Sequence, residues 1–124
     1  MILMTPVTED GRTDARFGRA HFVAIAEVVD GALVRWDVHE VDWDGLHDAG
    51  THGSHHARVI SFLREQGVEA VVAPHMGEGM ARMLGSAKLP VLPASPGEAK
   101  ASVLAAVNEP GRDAWKPIPT IQLH

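Results

Sequence analysis

Cysteine is missing altogether from this 124-residue chain. Its absence excludes disulfides, thiolate zinc sites, cysteine-ligated iron–sulfur clusters and cysteine nucleophiles, and removes cysteine usage as a guide to compartment. Positive charge is also scarce: 11 basic against 16 acidic residues give a formal net charge of −5. Because the basic residues are scattered as well, nucleic acid and anionic membranes are disfavoured as partners. No apolar run reaches the ~18 residues of a membrane span. The start, Met1-Ile2-Leu3-Met4-Thr5-Pro6, lacks the basic flank and long apolar run of a signal peptide. A cytoplasmic protein is therefore expected. What the chain has instead is histidine, eight times, and 45% apolar residues, enough at this length for one core without staples.

Periodicity gives strands alternating with helices. Ile2-Leu3-Met4 reads as a short strand, followed by a loop from Thr5 to about Arg19. His21 to Val29 and Ala32 to Val38 are rich in β-formers and flank Asp30-Gly31, the signal of a two-residue hairpin. Val59, Ile60, Phe62 and Leu63 lie at helical spacing in a helix predicted from about Ser54 to Gln66, with Gly67 as its cap. Val68 to Ala73 is apolar except for Glu69, as in a strand covered on both faces. A short helix is predicted through Met80, Met83 and Leu84, then a strand at Leu89–Leu92. Ser95-Pro96-Gly97-Glu98 reads as a capping box that starts a last helix with Val103, Leu104 and Val107 on its apolar side. The order implies an α/β protein: a three-layer α/β/α sandwich over a mixed sheet of about five strands with an antiparallel hairpin edge. Residues 1–109 form the expected domain and 110–124 an irregular C-terminal tail.

Ligands of open α/β sheets bind where loops leave the carboxyl ends of parallel strands. Three segments should meet there: the loop after the first strand, the histidine-rich helix entry from His47 to His56, and the turn His75-Met76-Gly77-Glu78-Gly79. His52 and His56 can approach one ligand from the helix entrance, whereas His55 falls nearer Phe62, where the fold would bury or orient it. The same histidines would also suit a solvated loop that caps backbone groups. Gly77 and Gly79 open a helix whose free N–H groups and dipole favour an anion, or else form a tight strand-to-helix turn. The Gly77–Gly79 turn has neither the Walker lysine nor the dinucleotide fingerprint, and there is no zincin motif or nucleophile elbow. Asp10, Asp14, Asp42, Asp44 and Asp48 are what ordinary turns produce, and Met76, Met80 and Met83 at near-helical spacing read as core.

Several segments, in order, carry a family likeness. Arg16-Phe17-Gly18-Arg19-Ala20-His21-Phe22, the Asp-Gly hairpin, the His-Gly-rich helix entry, Leu63 to Val72 and Met76-Gly77-Glu78-Gly79 together resemble the dinitrogenase iron-molybdenum cofactor biosynthesis family over roughly residues 1 to 109. The resemblance implies a ribonuclease H-like α/β/α domain, related to nitrogen fixation, that carries or stores a metal–sulfur cofactor of iron-molybdenum type, or its precursor, without relying on cysteine. Many members place a histidine ligand before the Phe-Gly pair. Here Arg16 stands at that position, so Arg16 and Arg19 would pair with an anionic cluster and His21 or the His52 to His56 group would ligate metal. No acidic quartet suited to two magnesium ions accompanies the topology, which argues against a nuclease.

The leading expectation is thus a non-enzymatic carrier of a metal–sulfur cofactor or a transition metal. Arg16, Phe17, Gly18, Arg19, Met76, Gly77 and Gly79 would bind the cofactor, and His21, His52, His55, His56 and His75 the metal. A cofactor-donor or acceptor protein is the expected partner, and homo-oligomerisation is left open. Two alternatives stand beside it: a metal-dependent hydrolase with His52, His56, His75 and an aspartate such as Asp48 around a metal-bound water, and a scaffold or regulatory domain that has lost the ligand.

Overall fold

A computed structural model of the chain describes residues 1–46, 52–95 and 97–108. Five strands form one sheet in the order β3-β2-β1-β4-β5: β1 Ile2–Val7, β2 Phe22–Val29, β3 Ala32–Glu40, β4 Ala70–Ala73 and β5 Val91–Pro93. β2 runs antiparallel to both β1 and β3, whereas β1, β4 and β5 are parallel. This is the mixed, open α/β sheet expected, with a hairpin at one edge. The helices are α1 Trp43–Leu46, α2 His52–Glu65, α3 Glu78–Ser86 and α4 Ala99–Asn108, and a 3-10 turn covers Phe17–Arg19.

Both faces of the sheet are covered, giving three layers. On one face Met4, Val23, Ile25 and Val71 pack against Val59 and Leu63 of α2 and Met80, Ala81 and Leu84 of α3. On the other, Leu3, Ala26, Val28, Val72 and Leu92 pack against Val103 and Ala106 of α4. Neighbouring residues Leu3 and Met4 serve opposite cores because side chains alternate along a strand. All four residues of β4 are buried, as a strand between two helical layers requires.

The hairpin turns at Asp30 and Gly31 with φ of 52° and 80°, the left-handed pair of a type I′ turn. α2 closes with the Val68 N–H on the Leu63 carbonyl (3.0 Å) around Gly67. The strands expected at Val68–Ala73 and Leu89–Leu92 shift by one or two residues, and two other expected boundaries move further. β1 runs on through Thr5, Pro6 and Val7, which were assigned to a loop. Pro6 turns its carbonyl to the Asp14 N–H (3.0 Å) and not to β2. Its missing N–H lies on that same side, so the β1–β2 ladder loses no bond.

The last helix starts at Ala99, not at Ser95. Gly97 has φ 112°, outside the helical range, and its carbonyl accepts the Thr13 N–H (2.8 Å), while Glu98 forms a bridge with Arg12. Gly97 and Glu98, read as part of a capping box, are instead paired with the loop after β1; Pro96 lies outside the described residues. The tail at 110–124 also lies outside them, as does His47. Among the described residues no helix is long and apolar enough to cross a membrane.

Candidate functional site

Parallel β1 and β4 point their carboxyl ends the same way, so the loop after β1 and the turn after β4 emerge together. The amino end of α2, which precedes β4, lies at that end too. Between them opens a cleft of about 460 Å³ lined by Ala15 to Arg19, His55, His56 and His75 to Met80. Its floor is apolar, since Phe17, Met76 and Met80 are buried; its rim is polar, since Arg16, Arg19 and His75 are exposed. The carboxylate on the lining is Glu78, which accepts from Arg82 at 2.7 Å.

Close backbone approach shapes the walls. A methyl group on Gly79 would come 3.2 Å from His56 Cε1, and one on Gly18 would come 3.3 Å from the Met80 terminal methyl. Glycine at both positions therefore lets α3 lie against the His56 ring and the 3-10 turn. α3 begins at the cleft with Gly77 as its cap residue and no side chain capping it, so the first-turn N–H groups face the space that a bound anion would enter. Arg16 is steered by Asp14, whose carboxylate accepts the Arg16 backbone N–H at 2.9 Å and its side chain at 3.4 Å.

His55 is 1% exposed and both ring nitrogens are engaged. Arg58, one turn along α2, donates to Nδ1 at 2.9 Å. Because arginine can only donate, Nδ1 accepts and Nε2–H donates to the Gly18 carbonyl at 2.8 Å. The ring is thus neutral and ties α2 to the 3-10 turn, which fixes the cleft wall but leaves no lone pair for a metal. Trp43 backs it edge-on at 6.3 Å and also packs on Phe17 and Phe62 at 6.0 and 5.8 Å.

His21 does not line the cleft. It sits where β2 begins, with Nδ1 2.9 Å from Asp44 and 3.2 Å from Asp42, and Nε2 2.6 Å from Glu40. Hydrogen bonds to Asp44 and then to Glu40 raise its pKa above the ordinary 6.5, against desolvation, which lowers it. The His21 ring in turn lowers the Asp44 carboxyl below its usual range. His52 opens α2, and its side chain is outside what the structure describes.

Sequence reasoning therefore placed Arg16 to Arg19, His56, His75, Met76, Gly77 and Gly79 on what is one cleft. It missed Arg58, whose only signal is its position one helical turn after His55. It also missed that Asp42 and Asp44, read as turn formers, close around His21.

The cleft, with its cationic and imidazole groups, lies at the carboxyl ends of parallel strands, the place where open α/β domains commonly bind ligands. The sequence model described as "Dinitrogenase iron-molybdenum cofactor" matches residues 1–109, and the chain belongs to that family. Among curated proteins none matches. Solved structures that share the fold include the following three. The crystal structure of PH0822 is 18% identical, TM-score 0.67, with 85% of this chain and 87% of that one covered. The NMR structure of a NifB candidate from Thermotoga is 23% identical, TM-score 0.66, with 98% and 96% covered. The crystal structure of a dinitrogenase candidate from Methanocaldococcus jannaschii is 12% identical, TM-score 0.61, with 85% and 86% covered.

Proposed function

We propose that this protein is a non-enzymatic carrier that holds an anionic metal–sulfur cofactor of iron-molybdenum type, or its precursor, in the cleft between the 3-10 turn, α2 and α3. The observation that carries the reading is the convergence of Arg16, Arg19, His56, His75 and the amino end of α3 on one cleft, in a chain that belongs to the iron-molybdenum cofactor family. The donor set suits such a cargo. Arginine and helix N–H groups neutralise negative charge without binding metal, imidazoles coordinate it, and the apolar floor of Phe17, Met76 and Met80 matches a sulfide surface.

With no thiolate in the chain, the cargo arrives preformed and keeps its own sulfide ligands. Weak, non-thiolate holding is what a transfer protein needs, because the cargo must leave for an acceptor. His56 and His75 are the proposed metal ligands. His55 acts as a positioning residue that holds the Gly18 carbonyl and the turn beside it. The partners are a donor and an acceptor protein of cofactor assembly, and the proposed setting is the cytoplasm.

The test is anaerobic reconstitution with tetrathiomolybdate and ferrous iron, followed by metal analysis and visible spectra. About one equivalent of molybdenum per chain is expected, with at least a tenfold weaker association in a His56→Ala/His75→Ala variant and a smaller loss in Arg16→Ala. Sub-stoichiometric metal in the wild type, or equal uptake by the variants, would overturn the reading.

A further inference from the structure

Outside the cleft lining, the entry to β2, the end of β3 and the start of α1 bring His21, Glu40, Asp42 and Asp44 together. One oxygen each from Asp42 and Asp44 and one nitrogen from His21 all lie within 4.8 Å of one another. That spread is what three ligands around one ion show at ~2.0 to 2.2 Å per bond, after a small inward adjustment. Glu40 supplies the remaining element. Its carboxylate lies 2.6 Å from Nε2 and accepts the Nε2–H, so that once the proton between Nδ1 and Asp44 leaves, the Nδ1 lone pair faces the two aspartates. A carboxylate behind the distal nitrogen is the arrangement that orients histidine on a metal and strengthens it as a ligand.

The backbone beneath is tied down on both sides. The His21 carbonyl accepts the N–H groups of Val41 and Asp42 at 2.9 and 3.1 Å, and Trp43 N–H reaches the Ala20 carbonyl at 3.0 Å. The donors therefore stay close together without a ligand. Their charge is unbalanced, because three carboxylates face one imidazole. Even a protonated His21 leaves an excess of two negative charges, the charge that a divalent cation brings.

We propose that His21, Asp42 and Asp44 form a binding site for a divalent first-row transition ion such as Zn²⁺, with Glu40 orienting the histidine. One nitrogen and two carboxylate oxygens make a borderline donor set. It favours Zn²⁺, Co²⁺ or Ni²⁺ over Mg²⁺ and Ca²⁺, which want oxygen alone, and over soft Cu⁺, which wants sulfur. Water fills the remaining positions, since three protein ligands leave the coordination open. The ion takes the place of the proton that Nδ1 shares with Asp44, so binding releases a proton and weakens as pH falls. This site is independent of the cleft and does not rest on the cofactor reading.

Titrating the full-length, metal-stripped protein with Zn²⁺ by calorimetry, and with Co²⁺ by visible absorption, tests it. The wild type is expected to bind one Zn²⁺ at this site. His21→Ala and Asp44→Asn should weaken it at least a hundredfold, and Glu40→Gln about tenfold. The His56→Ala/His75→Ala variant should bind as the wild type does, which separates this site from the cleft. Nitrogen-15 shifts of the His21 ring give a second readout, in which Zn²⁺ should move Nδ1 and not Nε2. No Zn²⁺ binding, or binding that survives Asp44→Asn or vanishes with His56 and His75, would overturn the proposal.

Discussion

His55 and His21 flank Trp43 in the fold, and the protein surrounds them with opposite kinds of partner. His55 is buried against the indole, accepts a hydrogen bond from Arg58 at Nδ1 and donates one from Nε2–H to the Gly18 carbonyl. The Arg58 guanidinium and burial both favour the neutral ring. His21 is partly exposed and faces Glu40, Asp42 and Asp44, all of which favour the cation. The difference teaches that an imidazole count in a sequence says little until the partners of each ring are known. One histidine has become a rigid strut of a cleft wall, the other a site where a proton or a metal ion can sit.

Removing the shared support should have the largest effect. Trp43 is 2% exposed and packs on Phe17, Phe62 and His55, so Trp43→Ala is expected to destabilise the fold by about 3–5 kcal/mol. A urea midpoint close to that of the wild type would show that the two histidine regions do not depend on it. Next comes His55→Ala, which leaves the Gly18 carbonyl without its donor and opens a void. About 2–3 kcal/mol is expected, together with weakened cargo uptake by the cleft and unchanged Zn²⁺ binding at His21.

The smallest effect is a pH profile, measured on metal-free protein. His21 is raised above 6.5 on folding, so its contribution is complete below that value and is lost as pH rises through the folded pKa. Asp44 is lowered below 3.8, so its contribution is complete above that value and is lost as pH falls through the folded pKa. The stability gap between wild type and Asp44→Asn should therefore be widest from about pH 4 to 6.5 and narrow on either side. A gap that does not vary with pH would mean that the pair is held by something other than charge.

Much of the architecture is legible in local pattern. The Asp30-Gly31 hairpin, the amphipathic spacing of Val59 and Leu63, and the apolar run into Ala73 each record a nearest-neighbour requirement of strand or helix. What the pattern hides is set by distant partners. Pro6 looks like a strand breaker until Asp14 is seen to take its carbonyl, and Ser95-Pro96-Gly97-Glu98 looks like a helix start until Gly97 and Glu98 are seen to pair with the Gly11–Thr13 segment. The candidate site divides in the same way. Loop positions at strand ends identify the cleft lining, because topology alone brings them together. That His55 is spent on the Gly18 carbonyl, 37 residues away, and that His21 faces three carboxylates 19 to 23 residues on, depends on distant side-chain contacts that no local spacing reveals.

The central place of β1 has a consequence for how the protein is made. Its outer neighbour β2 follows within the same stretch of chain, but its other neighbour is β4, and the Ile2 N–H is received by Glu69, 67 residues away. During synthesis the β1–β2–β3 meander can pair early while the opposite edge of β1 waits for α2 and β4 to emerge. Late closure across that long loop is the slow, entropically costly step of this topology. The cleft, whose walls come from both sides of that seam, exists only once the seam has closed.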